Sequence, residues 1–206
     1  VDGKTEVRYR GPNVTPGYWR TDAATRDAFD EEGYLCTGDA VLWIDRDNIH
    51  RGLKFDGRIA EDFKLSTGTF VSVGPMRAKA IMAGSPYVQD VVLTGLNMKE
   101  VGALIFPAPA CREVSGLGAD ASMNEVLAST PVRQRIQAII DQLARESTGS
   151  ASRIARALVL AEPPSPVLGE ITDKGSVKQR AVLKHRAALV DALHDGSATG
   201  IYTPQA

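Results

Sequence analysis

The sequence predicts a mixed α+β fold, and three features of the 206-residue chain support this prediction. Residues 1–59 contain short alternating runs separated by turn residues, a pattern typical of β-strands. Residues 60–206 combine runs dense in Val, Leu and Ile with apolar residues at helical spacing. Gly57-Arg58 lies close to the point where the first pattern gives way to the second, and it marks a break in the chain. We therefore expect a β-rich unit followed by an α+β unit.

The first part carries signals for three strands and one short helix. Thr21 or Asp22 is suited to cap the helix, and Ala23-Ala24 are good helix formers. The predicted strands cover residues 6–10, 40–45 and 48–53, and the predicted helix covers residues 21–29.

The second part alternates helix and strand signals. Two apolar runs joined by a short connection indicate an antiparallel pair of strands. Thr130-Pro131 is typical of a helix start, with Thr130 as the N-cap. The pattern in residues 196–206 does not decide whether this segment packs back or lies free. The predicted helices cover residues 76–82, 130–143 and 177–193, and the predicted strands cover residues 87–96, 101–107 and 153–160.

Composition excludes several classes of protein. The chain is 43% apolar and 24% charged, which are ordinary globular values and argue against a disordered, collagenous or coiled-coil protein. Lys and Arg number 24 against 25 Asp and Glu, so the charge balance predicts neither a nucleic acid nor a membrane as partner. No apolar run approaches the ~18–20 residues of a membrane span.

Cysteine and histidine usage indicates a cytoplasmic protein without a metal centre. Cys36 and Cys111 form no CxxC motif, which suits a reducing compartment. The histidines at positions 50, 185 and 194 are too scattered to predict a metal site. The chain opens without Met, a basic region or an apolar leader, so we interpret it as a piece of a longer cytosolic chain.

Three segments carry candidate chemistry. In the first, a strand-like run ends in Gly38-Asp39, and a carboxylate in that position can accept hydrogen bonds from both hydroxyls of a ribose. Taken alone, Gly-Asp is also a common turn. The second segment combines Arg58, which suits phosphate or ribose oxygens, with Lys64 and the permissive Gly68. The alternative for Lys64 is a solvated lysine at a strand edge.

The third segment, residues 169–180, places lysines in a glycine-containing loop before the last predicted helix. A single loop of this kind is equally typical of a solvated turn. The order of the motifs is more specific than any one of them. Gly-Pro-Asn-Val-Thr-Pro-Gly-Tyr-Trp at residues 11–19 precedes Thr37-Gly38-Asp39, Gly57-Arg58 and the late lysine loop.

In this order the motifs resemble the C-terminal part of the adenylate-forming enzymes, which include acyl- and aryl-CoA synthetases, nonribosomal adenylation domains and luciferases. The amino-acid sequences of residues 61–69 and 171–175 look most like those of feruloyl-CoA synthetases. The resemblance implies that residues 1–59 form the β-rich end of a large N-terminal adenylation domain. Residues 60–206 would then form the small α+β lid that follows a hinge.

The resemblance also assigns roles to individual residues. It implies that Asp39 binds the ribose hydroxyls of ATP and AMP and that Arg58 assists at ribose and phosphate. It places the hinge at Ala60, where many relatives carry Asp or Lys. Lys64 and Gly68 match the part of the lid that faces the active site when CoA attacks the acyl-adenylate.

In relatives, a lysine of the late loop offsets the repulsion between the attacking carboxylate and the α-phosphate of ATP. The common pattern places this lysine directly after Gly and three residues before Arg. Here Ser176 follows Gly175, and Val177 lies three residues before Arg180. The catalytic lysine is therefore predicted as Lys174, with Lys178 as the second choice.

The resemblance predicts an AMP-forming acid–CoA ligase that acts on an aromatic acid such as ferulate, with ATP, Mg²⁺ and CoA as substrates or cosubstrates. It implies a missing N-terminal large domain that carries the phosphate loop and the acid pocket. This piece alone is accordingly expected to be inactive and to hold no cofactor tightly. The alternatives are an adenylation domain that loads a carrier-protein thiol and a non-catalytic lid or binding module.

Overall fold

A computed structural model describes residues 3–205 of the chain. It divides the chain into two compact units, residues 1–62 and 63–206, and both contain helices and strands. The predicted α+β class is confirmed. The assignment of the first part to a larger adenylation domain stays a prediction.

The first unit is a three-stranded antiparallel sheet with one short helix. The central strand pairs with the first strand on one side and with the third strand on the other. Two single 3₁₀ turns, Ile49–Arg51 and Ile59–Glu61, flank the third strand. The elements are β1 (Thr5–Tyr9), α1 (Asp22–Ala28), β2 (Leu35–Trp43) and β3 (Leu53–Arg58).

Two strand predictions in this unit are wrong. Residues 48–53 do not form a strand, because the Asn48 side chain accepts a hydrogen bond from the His50 N–H at 3.2 Å and starts a 3₁₀ turn. Gly52 follows with a φ of +84° that a strand does not accommodate. The second strand does not end at Gly38-Asp39 but continues to Trp43, since the irregularity there is a bulge within the strand.

Few apolar side chains of the first unit are buried. Ala40 and Val41 are the buried apolar residues of its described part. Trp19 is 86% exposed and Phe55 is 60% exposed, and Trp43 is also exposed. Aromatic groups of this size normally enter a core. The first unit therefore presents an apolar surface to solvent.

The second unit contains a mixed three-stranded sheet with helices on both faces, together with a short β-hairpin. In the sheet, the predicted antiparallel pair is confirmed as β6 (Val88–Thr94) and β7 (Val101–Pro107), and β8 (Ile154–Val159) joins β7 in parallel. The strands are β4 (Phe63–Lys64), β5 (Phe70–Val71), β6 (Val88–Thr94), β7 (Val101–Pro107) and β8 (Ile154–Val159), and the helices are α2 (Val73–Gly84), α3 (Ala110–Ser115), α4 (Met123–Ala128), α5 (Thr130–Arg145), α6 (Gln179–His185) and α7 (Ala187–Asp195).

The core of the second unit lies in two layers, one on each face of the sheet. Alternate residues of a strand point to opposite faces, so neighbouring apolar residues enter different layers. Val91 and Leu93 pack in the cluster that contains Ile136 of α5. Val92 belongs to the second cluster, with Val182 of α6. The sheet is thus covered on both faces, which explains its continuous apolar runs.

Helix boundaries differ from the predictions in three places. Helix α2 begins at Val73 and tolerates Gly74 and Pro75 in its first turn, where backbone N–H groups lack helical partners anyway. The N-cap of α5 is Ser129 rather than Thr130. The expected helix 177–193 is two helices, α6 and α7, which meet at Arg186. Helices α3 and α4 were not expected, because each is only six residues long.

The segment that the sequence left undecided packs back onto the second unit. The N–H and carbonyl groups of Tyr202 exchange two hydrogen bonds of 2.8 Å with those of Ala157 in β8. Gln137 Nε2 of α5 donates to the Thr203 carbonyl at 2.8 Å. Tyr202 also packs against the core of this unit.

Candidate functional site

Asp39 and Arg58, the candidate nucleotide-binding residues, lie directly opposite each other on β2 and β3. Arg58 Nε is 2.8 Å from Asp39 Oδ1, and Arg58 Nη1 donates to the Thr37 carbonyl at 3.0 Å. Both charged side chains remain partly exposed. The pair thus presents carboxylate acceptors beside guanidinium donors, which is the combination that a ribose diol and a phosphate require.

The backbone before Asp39 is shaped by its own side chains and by β1. Thr37 Oγ1 accepts a hydrogen bond from the Asp39 N–H at 3.0 Å and donates to the Val7 carbonyl at 2.6 Å. The Gly38 N–H donates to Glu6 Oε1 at 2.9 Å. Gly38 has a φ of +70°, a conformation that favours glycine. Asp39 is therefore placed by a bulge that β1 supports.

Ala60, the candidate hinge residue, lies exposed in the 3₁₀ turn Ile59–Glu61. An ion-pair cluster that the sequence gave no reason to expect lies beside this turn. Lys4 Nζ is 2.8 Å from Asp62 Oδ2 and 3.1 Å from Asp56 Oδ2, and it donates to the Asp56 carbonyl at 2.7 Å. The Asp62 side chain is only 2% exposed. The cluster joins Asp62, at the end of the first unit, to Lys4, the residue before β1.

Lys64 and Gly68, the candidate residues for the second step, lie in the hairpin formed by β4 and β5. The Lys64 carbonyl accepts a hydrogen bond from the Asn97 N–H at 3.0 Å, so the hairpin rests on the β6–β7 turn. Gly68 has a φ of +80°, and a Cβ placed on it would meet no atom within 4 Å. Glycine is therefore favoured at position 68 by its backbone conformation and not by a lack of room for a side chain.

Residues 170–178 form a second small hairpin, which we call the lysine hairpin. Ile171 and Val177 pair as antiparallel neighbours, and Gly175 closes the turn with a φ of +81°. Lys174, the first candidate for the catalytic lysine, lies exposed at the tip. Its side chain makes no hydrogen bond or ion pair with the residues that the structure describes.

Lys178, the second candidate, lies at the base of the same hairpin. It directly precedes α6, its N–H donates to the Glu170 carbonyl at 2.8 Å, and its side chain is exposed. The structure thus brings both candidate lysines onto one hairpin, at its tip and at its base. Lys64 and Gly68 belong to a different hairpin.

Three residues that support the lysine hairpin were missed by sequence reasoning. Glu170 is completely buried beside Arg186, and Gln179 is 1% exposed. The Arg186 guanidinium lowers the pKa of the Glu170 carboxyl below its usual range, against the opposing effect of burial. A polar residue gives no local signal of burial, and Glu170 and Arg186 lie far apart in sequence, so no motif identifies them.

The described residues offer no metal centre. Across residues 3–205, no group of three His, Cys, Asp or Glu side chains could hold a metal ion. No helix in the same range is long and apolar enough to cross a membrane.

Known proteins similar to this chain include fatty acyl-CoA ligases. Fatty acyl-CoA synthetase B of Dictyostelium discoideum is 36% identical over 113 residues, which are 54% of this chain and 16% of that protein. Human long-chain-fatty-acid–CoA ligase 1 is 28% identical over 150 residues, which are 71% of this chain and 21% of that protein. The chain thus spans only a small fraction of the length of the curated relatives that it matches.

Solved adenylation domains share the fold. The A domain of carboxylic acid reductase from Segniliparus rugosus, solved with AMP and a co-purified carboxylic acid, matches with a TM-score of 0.69 and 22% identity. The match covers 95% of this chain and 28% of that chain. The A-PCP didomain of the same enzyme matches with a TM-score of 0.67, 20% identity and coverage of 94% and 25%. At these identities the likeness establishes the fold alone.

A family match covers the second unit almost completely. Residues 63–198 match the AMP-binding enzyme C-terminal domain. The matched range runs from β4 to just beyond α7 and includes both lysines of the lysine hairpin. The mixed sheet, the exposed hairpin and this match lead to one conclusion: the chain belongs to the family of AMP-binding enzyme C-terminal domains.

Proposed function

We propose that this chain is the C-terminal region of an AMP-forming acid–CoA ligase. In such an enzyme a carboxylic acid attacks the α-phosphate of ATP, pyrophosphate leaves, and the thiol of CoA then displaces AMP from the acyl-adenylate. The large domain that would complete the site belongs to the same polypeptide in this proposal. The apolar surface of the first unit supports it, because that surface suits burial against further protein.

The observation that carries the proposal is the pairing of Asp39 with Arg58. The two residues belong to different motifs of the sequence, and the register of β2 and β3 brings their charged groups to 2.8 Å. In the proposed enzyme the Asp39 carboxylate accepts hydrogen bonds from both ribose hydroxyls of the nucleotide. Arg58 donates to ribose and phosphate oxygens and holds the carboxylate in place.

Lys174 is the proposed catalytic residue for adenylation. The carboxylate and the α-phosphate repel each other, so a cation beside the forming bond lowers the barrier most when it is already in position. Lys174 lies at an exposed hairpin tip that can enter a site on another domain. Lys178 remains the second choice, because its exposed side chain lies at the base of the same hairpin.

Lys64 and Gly68 are proposed to serve the second step. Their hairpin has an open outer side, where backbone can approach the narrow pantetheine arm of CoA. The acid substrate is proposed to be aromatic, such as ferulate, and this choice rests only on the resemblance of residues 61–69 and 171–175 to feruloyl-CoA synthetases. A panel of ferulate, benzoate and palmitate, offered to the full-length parent enzyme, tests this choice. A clear preference for palmitate would contradict it.

The proposal is tested on the full-length parent enzyme carrying Lys174→Ala. We expect acid-dependent ATP–pyrophosphate exchange to fall by about 100-fold or more, the range typical of losing a preorganised charge at the reacting centre. CoA attack on supplied acyl-adenylate is expected to continue. Lys184→Ala, at an exposed position of α6, is the matched control and should leave both activities unchanged.

Full retention of exchange by Lys174→Ala would move the role to Lys178 or remove it from the hairpin.

The thiol acceptor distinguishes the ligase from a domain that loads a carrier protein. Turnover that requires free CoA supports the ligase, and turnover only with a carrier-protein thiol contradicts it. Calorimetric titration of this chain alone with AMP and with CoA completes the test, since tight AMP binding would contradict the need for the large domain.

A further inference from the structure

We propose that the buried ion pair between Glu170 and Arg186 is the positioning element of the lysine hairpin and sets the place of Lys174 for adenylation. This inference rests on the proposed function, in which Lys174 serves the first half-reaction. Neither residue of the pair touches substrate in this proposal. Both act through the backbone that carries Lys174.

The tip of the lysine hairpin is bonded only within the hairpin. Residues 173–176 are exposed. The Thr172 N–H donates to the Ser176 carbonyl at 2.9 Å, and Thr172 accepts the Gly175 N–H on its carbonyl at 2.8 Å and the Ser176 N–H on its Oγ1 at 3.0 Å. These bonds shape the turn but do not join it to the rest of the second unit. A two-stranded hairpin of this size is marginal by itself in water. The place of Lys174 must therefore be determined where the hairpin joins the second unit, at Glu170 and Lys178.

Glu170 ties the two arms of the hairpin to each other and to the preceding turn. Its carbonyl accepts the Lys178 N–H at 2.8 Å, and its own N–H donates to the Ser165 carbonyl at 2.9 Å. Its carboxylate accepts the Ser165 N–H at 2.8 Å. The residue is fully buried, so a charge at this place requires a close counterion.

Arg186 supplies that counterion from the junction of α6 and α7. Its Nε and Nη2 atoms donate to the two Glu170 carboxylate oxygens at 3.0 and 2.8 Å. Nη1 and Nη2 also donate to the carbonyls of Glu162 and Pro163 at 3.1 and 2.7 Å, and the guanidinium lies 5.2 Å from the ring centre of Phe106. Only the planar guanidinium of arginine, with its several N–H donors in fixed directions, can make all of these hydrogen bonds together.

The second arm is held by a different group. Arg77 Nη2 donates to the Val177 carbonyl at 3.1 Å while the guanidinium forms a bidentate ion pair with Asp90 at 2.8 and 2.7 Å. Loosening the Glu170–Arg186 pair therefore releases the first arm and leaves the second in place. The hairpin would then tilt and carry Lys174 away from its working position.

The test uses the full-length enzyme carrying Arg186→Lys, which keeps the charge but loses the fork. We expect the kcat of ATP–pyrophosphate exchange to fall about 10- to 100-fold, the effect of a misplacement of ~1 Å at a reacting centre. KM values for ATP and acid should change little. Thioester formation from supplied acyl-adenylate and CoA should stay within about twofold, because Lys174 is not needed there.

Arg156→Lys is the matched control. Arg156 also pairs with a glutamate, Glu100, and donates to helix carbonyls, those of Leu193 and His194, and none of these bonds involves the lysine hairpin. The control should leave exchange unchanged. If Arg186→Lys does not fold, Glu170→Gln carries the same test, since it keeps the shape of the side chain and removes its charge.

A double variant separates this inference from the function on which it rests. In a Lys174→Ala background, Arg186→Lys should cause no further loss of exchange, because the positioned group is gone. Loss of exchange in Lys174→Ala with full activity in Arg186→Lys would overturn the positioning role and leave the function standing. Equal loss of both half-reactions in Arg186→Lys would also overturn it, since that result indicates general damage to the fold.

Discussion

At the scale of single residues, His194 shows how a half-buried polar group depends on its neighbours. Its Nε2 lies 2.7 Å from Thr94 Oγ1, within hydrogen-bond distance, and Gly102 leaves the room for this contact. A Cβ on Gly102 would lie 2.5 Å from Thr94 Oγ1 and 3.1 Å from His194 Nε2. Burial and the nearby Arg156 lower the pKa of His194, against the opposing charges of Glu100 and Asp191.

The lowered pKa of His194 predicts a pH dependence of stability. The unfolded chain takes up the proton near the ordinary pKa of ~6.5, before the folded chain does. The contribution of His194 to the free energy of unfolding is therefore complete above ~6.5 and is lost as the pH falls through the folded pKa. Urea unfolding of the chain between pH 8 and 5 should show a smaller change with pH for His194→Asn than for the wild type.

Identical slopes for His194→Asn and the wild type would contradict the role assigned to His194.

At the scale of elements, α6 is joined to the sheet by a side chain that behaves like a neighbouring strand. Gln179 Oε1 accepts the Leu93 N–H at 3.1 Å, and Gln179 Nε2 donates to the Leu93 carbonyl at 2.9 Å. These are the two backbone bonds that another strand would make at this position of β6. Glutamine at the first position of α6 thus fixes the helix, and with it the base of the lysine hairpin.

Gln179→Ala is expected to lower the free energy of unfolding by about 1–3 kcal/mol for each group of Leu93 left without a partner. Chemical denaturation of the chain measures the change. Gln142→Ala is the control, because Gln142 makes a single exposed bond to Glu146 four residues later on α5. That bond should contribute no more than about 0.5 kcal/mol. Equal losses in the two variants would show that the Leu93 bonds add nothing.

At the scale of the whole molecule, the two units differ in how much apolar surface they bury. The second unit has two core layers, whereas the described part of the first unit buries only Ala40 and Val41 among its apolar residues. Burial of apolar surface is the main source of stability. The second unit therefore has the means to fold by itself, and we expect the first to be stabilised by further contacts.

This asymmetry predicts the pattern of amide hydrogen exchange. In the chain of 206 residues, amides of β1, β2 and β3 should exchange faster than those of β6 and β7, because local opening is easiest where little is buried. In the full-length parent enzyme, the first set should become protected and the second should not change. Equal protection of the first set in both proteins would contradict the proposed cover by a large domain.

Sequence reasoning succeeded where a periodic pattern meets a buried face. The Val, Ile and Leu side chains of the predicted helix 130–143, among them Val132, Ile136 and Ile140, recur at helical spacing and are all buried. The strand prediction for residues 48–53 is wrong because the Asn48 side chain accepts a hydrogen bond from the backbone N–H of His50, which favours a turn. The position of Asp39 opposite Arg58 depends on the register of two strands. The burial of Glu170 depends on a partner that lies elsewhere in the sequence. A local sequence pattern contains neither kind of information.

The segment around Tyr202 has a consequence for the behaviour of the protein in concentrated solution. Strand β8 lies at the margin of its sheet, where unpaired backbone groups are a template on which a strand from another molecule can add. Tyr202 occupies the backbone groups of Ala157 on that margin. The same few residues that complete the core therefore also act against the association of one copy of the protein with the next.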